Sequence, residues 1–176
     1  MVDMVQSEPL SSRLFGEREV FAVQIDNEEN TSTLPRLARL SYWLFNRKLG
    51  SPELYEAEDI VVAMKWVRGD CGRRDGGALC DASDELTQQW IMMRLVNGTE
   101  EPTALTEFPT DVARFNLAFH PTHGAGWFFL VACGDVGRLL FRASEHSALV
   151  SGRAPIASVE SAIRDAYSYL DGLVAL

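Results

Sequence analysis

The sequence predicts an α+β fold: one mainly antiparallel β-sheet with about three helices packed on it. Three observations carry this. Segments with an apolar period of two occur in groups joined by short polar turns, which favours antiparallel pairing. Segments with a period near 3.6 lie between and after those groups. The chain of 176 residues suits a single domain, and a chain of that length buries about 70% of its unfolded surface.

Residues 1–18 are polar and are expected to form a loosely ordered N-terminal extension, leaving 19–176 as the domain. Over 20–26, Phe21, Val23 and Ile25 share one face, which predicts a strand. A polar loop follows over 27–35. Over 37–45, LARL alone also suits a helix, but Leu40, Tyr42 and Leu44 alternate with Ser41, Trp43 and Phe45, which favours a strand that turns at 46–48.

Over 57–68, Ile60, Ala63, Met64 and Val67 fall at i, i+3, i+4 and i+7. Glu58 and Asp59 begin this segment and Lys65 and Arg68 end it, so its charges match a helix dipole, with Gly69 as the stop. A second helix is expected over 84–96, with Ser83 as N-cap and Leu86, Trp90 and Met93 on one face. Residues 99–111 read as an exposed loop. Three strands should follow: 114–120, with Phe115, Leu117 and Phe119 on one face; 126–133, apolar on both faces and so central; and 138–144, its hairpin partner across a Gly-Asp-Val-Gly turn. Ile156, Val159, Ile163, Ala166 and Leu170 mark a closing helix over 156–173.

Net charge is −9, from 16 basic and 25 acidic residues. That argues against direct binding of nucleic acid, which needs a basic surface, and favours a basic partner beside the plain effect on solubility. No run of 18 apolar residues suggests a membrane span. The first residues lack the basic start and apolar stretch of a leader, so the expected location is cytoplasmic. Cys71, Cys80 and Cys133, odd in number and irregular in spacing, fit reduced and mostly buried thiols.

The stretch GDCGRRDGG over 69–77 draws attention as a glycine-rich loop with arginines. It fits neither phosphate-loop nor dinucleotide spacing, and a helix rather than a strand precedes it. Cys71 beside Arg68, Arg73 and Arg74 could have a lowered pKa, yet no base stands near it in sequence. The alternative is a helix stop, a turn and Arg–Asp pairing. His120 and His123 are three residues apart, but a metal needs further ligands, and none stands at matching spacing. No catalytic set, metal set or cofactor motif emerges. Acidic groups remain at Asp26, Glu28 and Glu29, at Glu53, Glu56, Glu58 and Asp59, and further on at Asp81, Asp84, Glu85, Glu100 and Glu101. They serve as solvated or capping charges, or as a docking face for a basic protein.

Three segments together carry a resemblance: FAVQID over 21–26, LSYWLFNRKLG over 40–50, and MKWVRGDCGRRDGGALCDASDEL over 64–86. With Gly16, Phe21, Ala22, Gln24, Tyr42, Trp43, Gly50, Trp66, Asp70, Gly72 and Arg74 as the matching positions, the chain resembles the immunity protein 42 family of polymorphic-toxin and contact-dependent inhibition systems. Arg73 and the longer N-terminal extension depart from the pattern.

The resemblance implies a non-enzymatic cytoplasmic protein without cofactor or membrane contact. It would bind the C-terminal domain of a cognate toxin one to one and occlude its active site. Such toxins are commonly nucleases with basic grooves, and Asp26, Glu28, Glu29, Glu53, Glu56 and Glu58 are the expected toxin-binding acids. It also implies that Trp66, Asp70, Gly72 and Arg74 form a structural loop, with Trp43 and Trp66 in the core and Asp70 bracing Arg74. A small enzyme using Cys71 or His120 and His123, or a general adaptor, is the alternative.

Overall fold

The computed structural model describes residues 10–28, 36–97, 108–109, 111–117, 126–144 and 146–175. Strands β1 (Leu10–Glu17), β2 (Phe21–Glu28), β3 (Leu37–Leu44) and β4 (Arg47–Leu49) follow one another across an antiparallel sheet, and β5 (Tyr55–Glu56) pairs with the start of β3. Helix α1 (Ala57–Gly69), a 3₁₀ turn (Gly77–Asp81), α2 (Asp84–Asn97) and a second 3₁₀ turn (Ala113–Phe115) come next. A second antiparallel sheet, β6 (Trp127–Cys133), β7 (Val136–Arg142) and β8 (Val150–Pro155), leads into α3 (Ile156–Val174). The α+β expectation holds, with two sheets in place of one.

The period of two decides which side chains meet. In β2, Phe21, Val23 and Ile25 lie opposite Leu44, Tyr42 and Leu40 of β3, and all six face the core. Their neighbours Ala22, Gln24 and Asp26 lie opposite Trp43, Ser41 and Arg39 on the other face. The β3–β4 turn is Phe45-Asn46, with φ of 49° and 64°. Two residues in the left-handed region make the tight hairpin turn that matches strand twist, one residue before the expected place. An aromatic residue rarely takes this conformation. Here the ring of Phe45 lies on Gly152 of β8, where any Cβ would stand 1.8 Å from the ring Cζ.

Two apolar layers result. The larger lies between the sheets and beneath α1 and α3, and contains Leu40, Tyr42, Met64, Phe128, Leu139 and Ile163. The smaller lies on the opposite side of the second sheet, where Leu79, Trp90, Ile91, Phe115, Phe129, Val131 and Leu140 meet. Strand β6 sends Phe128 and Leu130 to the first layer and Phe129 and Val131 to the second. That explains its apolar character on both faces. The expectation that it is central is corrected, because β7 is the middle strand. Irregular chain meets β6's outer edge: Leu117 N–H donates to Phe128 O, Ala132 N–H to Arg74 O and Gly76 N–H to Ala132 O, each at 2.8 Å. An edge covered in this way is closed to further strand pairing.

Four other expectations are corrected. Residues 10–17 form β1 and are not loosely ordered; Ser11, Ser12 and Arg13 hide the alternation, while Phe15 packs on Tyr169 of α3 at 5.6 Å. The segment from 114 begins as a 3₁₀ turn with a single bridge from Asn116 to Phe129, and Phe115 and Leu117 enter different layers; residues 118–120 lie outside the described residues. Strand β8 was not expected, because Ser-Gly-Arg-Ala-Pro has little β-propensity. In α2 the packed side carries Thr87, Gln88, Trp90, Ile91 and Arg94, whereas Leu86 is exposed. Ser83 does cap α2, its Oγ accepting from Leu86 N–H at 3.2 Å.

Tyr42 gives one stability test. It is fully buried and its hydroxyl donates to Leu117 O at 3.0 Å, tying β3 to the chain that leads into β6. Tyr42→Phe strands that carbonyl, and the unfolding free energy read from urea titration falls by about 1–2 kcal/mol.

Candidate functional site

The loop after α1 is built by contacts within the fold. Asp70 N–H donates to Trp66 O at 3.2 Å and Cys71 N–H to Arg68 O at 3.0 Å, closing the helix. Gly72, at φ +79°, then turns the chain so that its N–H donates to Glu160 of α3 at 2.5 Å. Arg164 holds the other oxygen of Glu160 at 2.9 Å. Arg74 is fully buried and donates to Val67 O at 2.6 Å, a cation on the carbonyl end of a helix. The expected Asp70–Arg74 brace is corrected: Asp70 pairs with exposed Arg73 at 3.7 Å, and Arg74 turns inward.

Cys71 is half-buried, and burial pushes its thiol up, against the pull of Arg74. A raised pKa is the reverse of what an activated nucleophile needs. Cys80 and Cys133 are joined as a disulfide, with Cα atoms 5.6 Å apart, so the expectation of three reduced thiols is corrected. The pairing arises because Gly76 N–H bonds Ala132 O, which lays the 3₁₀ turn carrying Cys80 beside the end of β6. His120 and His123 lie outside the described residues. Among the described residues no group of three or more metal-ligating side chains occurs, and no helix is long and apolar enough to cross a membrane.

The outer face of the first sheet carries a polar network centred on Asp26. Arg39 reaches its carboxylate at 2.7 Å, Lys48 at 3.6 Å, and Gln24 donates to it at 2.6 Å. Burial alone would raise the pKa of Asp26, but the hydrogen bonds from Gln24, Ser12 and Arg39 and the charge of Lys48 outweigh it and hold the carboxyl below its usual range. Trp43 completes the row: its indole N–H donates to Gln24 Oε1 at 2.7 Å, and the Arg18 guanidinium stands 4.5 Å over its ring. Asp26 is therefore buried and matched within the fold, unlike the accessible acid expected of it.

The remaining expected acids divide. Glu28 is half-buried at the end of β2, and Glu29 lies outside the described residues. Glu53, Glu56 and Glu58 are exposed and gather at the head of α1, where Glu56 is the N-cap and Glu53 accepts from the Tyr55 hydroxyl at 3.0 Å. On the same helix stands the largest departure from expectation. Trp66 is 76% exposed, not part of the core. Ile60, Met64 and Val67 define the buried stripe, and at 100° per residue Trp66 falls on the opposite half of the helix. The resemblance implies a core position for Trp66, and the helical spacing of α1 overturns it.

A second charged cluster joins the start of α2 to the second sheet. Buried Arg138 donates to Asp84 at 2.5 Å and to the carbonyls of Leu79 and Ala82 at 2.6 and 3.0 Å, and Arg153 adds a contact to Asp84 at 3.0 Å. Burial works against the Asp84 carboxylate. Hydrogen bonds from Ser151, Arg138 and Arg153 outweigh it and bring its pKa to about 2, from 3.8. A folded pKa below the unfolded one gives stability that is complete above pH 3.8 and lost as pH falls towards 2. Asp84→Asn should flatten that loss, by about 2 kcal/mol, in unfolding curves taken between pH 5 and pH 2.

A cleft of ≈ 480 Å³ opens between the β1–β2 turn and the first turns of α3, lined by Gly16, Glu17, Phe21, Ser158, Ser161 and Asp165 among others. Ser161 Oγ donates to Asp165 at 3.3 Å. The lining holds no histidine, cysteine or cation to activate a nucleophile. Among the described residues, Asp26, Arg74, Arg138 and Glu160 brace the fold from buried positions, and α1 presents exposed carboxylates, Lys65, Arg68 and an exposed indole.

No protein-family model matches the chain, and no curated protein matches it. The fold is similar to that of CdiI from Burkholderia dolosa AUO158 in its crystal structure, with a TM-score of 0.68. The similarity covers 89% of this chain and 99% of that one at 17% sequence identity. The likeness is one of fold, and it does not reach to the narrower immunity protein 42 family.

Proposed function

We propose that this chain is an immunity protein of a contact-dependent growth inhibition system, which neutralises a cognate toxin domain by binding it directly. The fold likeness to CdiI, nearly end to end on both chains, carries the reading. The toxin domain is taken to be a nuclease, bound one to one in the cytoplasm with its active site occluded. The net charge of −9 supports this finer part, because an acidic inhibitor is drawn to the basic groove of a nuclease and away from nucleic acid itself. Glu53, Glu56 and Glu58 are the accessible acids proposed to steer the encounter, with half-buried Glu28 at the end of β2 a further contributor.

Cells that express the toxin domain encoded beside this gene should grow only when this chain is present. Cys71→Ala and the pair His120→Ala and His123→Ala should protect as well as the unaltered chain does. Loss of protection in either variant, with the fold intact, would favour an enzyme instead. Raising salt from low to physiological levels should slow association by about tenfold or more, through screening of long-range attraction. An on-rate indifferent to salt would remove the electrostatic part.

A further inference from the structure

We propose that Trp66, with Val62 beside it, is the apolar anchor of the docking face, and that the acidic head of α1 sets the partner as a basic toxin domain. The inference rests on the immunity reading and names the surface that carries it.

The geometry comes from one helix. Glu58, Val62 and Trp66 step by four along α1, about 6 Å apart, so they form a single stripe on its solvent side. Val62 is 58% exposed and stands opposite the buried stripe of Ile60, Met64 and Val67. Among the described residues Trp66 is the sole aromatic in the exposed apolar set; the others are leucines and valines. Nothing stands within 4 Å of where a Cβ on Gly69 would lie, so the flank of the stripe one turn beyond Trp66 is open as well.

The remaining tryptophans in the described residues have work inside the fold. Trp90 donates to Pro109 O at 3.0 Å, Trp43 donates to Gln24, and Trp127 packs against the second apolar layer. Trp66 has no comparable role in the packing of either layer. Isolated exposed aliphatics are ordinary. A nearly free indole beside a second apolar residue is the composition of an interface centre, where tryptophan is enriched and charge lies at the rim.

Charge names the occupant. Glu53, Glu56, Glu58 and Asp59 are all exposed and lead directly into the stripe. Carboxylates border the N-terminal end of the anchor, with Lys65 and Arg68 exposed towards the other end of α1, and the acidic end complements a partner that presents an apolar pocket beside a basic surface. A second copy of this chain, at net charge −9, would be repelled from it.

The test compares wild type with Trp66→Ala and Val62→Ser for binding to an inactivated form of the adjacent toxin domain, by kinetics on an immobilised surface. Thermal unfolding is recorded in parallel. Trp66→Ala should leave the melting temperature unchanged and weaken binding about 30-fold or more, mainly through faster dissociation. Val62→Ser should weaken it several-fold by the same route. Wild-type binding that survives Trp66→Ala to within threefold would overturn the anchor and leave the immunity reading standing. No binding by wild type would overturn both. Self-association of wild type that Trp66→Ala abolishes would overturn the proposal in favour of a second copy on this face.

Discussion

Arg138→Ala lowers the unfolding free energy by about 3–5 kcal/mol, the expected result of removing one partner from a buried ion pair. Arg138 is 3% exposed and holds three groups at once: the Asp84 carboxylate and the carbonyls of Leu79 and Ala82. Without it, a 3₁₀ turn and the first turn of α2 lose their tie to β7. Ala82 O loses the guanidinium, Leu79 O keeps only the Ala82 N–H at 3.2 Å and the Thr87 hydroxyl at 3.4 Å, and Asp84 is left with Arg153 and Ser151. Arg153 is half-exposed at its side chain, so Arg153→Ala should cost less than about 1 kcal/mol. Urea titration of the two variants separates the cases. Equal and small losses would mean that the cluster is a surface decoration and not the fastening of α2.

Phe128→Ala has a comparable effect, about 3–5 kcal/mol, through loss of apolar transfer and the cavity left behind. Phe128 sits where the two sheets meet. Its ring lies 5.3 Å from that of Tyr42 of β3, 6.1 Å from Phe141 of β7 and 6.2 Å from Phe21 of β2. The residue therefore couples both sheets through one set of ring contacts. A loss of that size lowers the melting temperature by about 6–20 °C. Phe128→Leu keeps most of the volume and should cost less than half as much. If Phe128→Ala cost no more than Phe128→Leu, the two sheets would not share the core described.

What was legible in the sequence follows from where the large apolar side chains keep to one face. Phe21, Val23 and Ile25 alternate with less apolar neighbours, and Ile60, Met64 and Val67 recur at helical spacing, so β2 and α1 read correctly. Strand β1 did not, because its own residues Ser11, Ser12 and Arg13 are polar on an edge with little buried surface. Phe115 and Leu117 looked like one strand face because periodicity records spacing, and spacing cannot distinguish a strand face from two apolar layers entered in turn. The Cys80–Cys133 bond is a consequence of tertiary approach across 53 residues, which spacing does not encode.

The surroundings of the charged and aromatic side chains were less legible. Net charge pointed to a basic partner, yet Asp26 proved to be matched by Arg39 and Lys48 across neighbouring strands, a pairing visible only once the register is known. Conversely, the resemblance implies a core place for Trp66, whereas its helical position places it in solvent. Its angle on α1, opposite Ile60, Met64 and Val67, corrects that placement.

The central claim is that this chain binds a toxin domain tightly and directly. Titration calorimetry of the chain into the inactivated toxin domain encoded beside it tests that claim. The account predicts a saturable transition with one site per chain and a dissociation constant in the nanomolar range, on the order of −12 kcal/mol. Absence of heat and of any complex by gel filtration at micromolar concentrations of both proteins would contradict it.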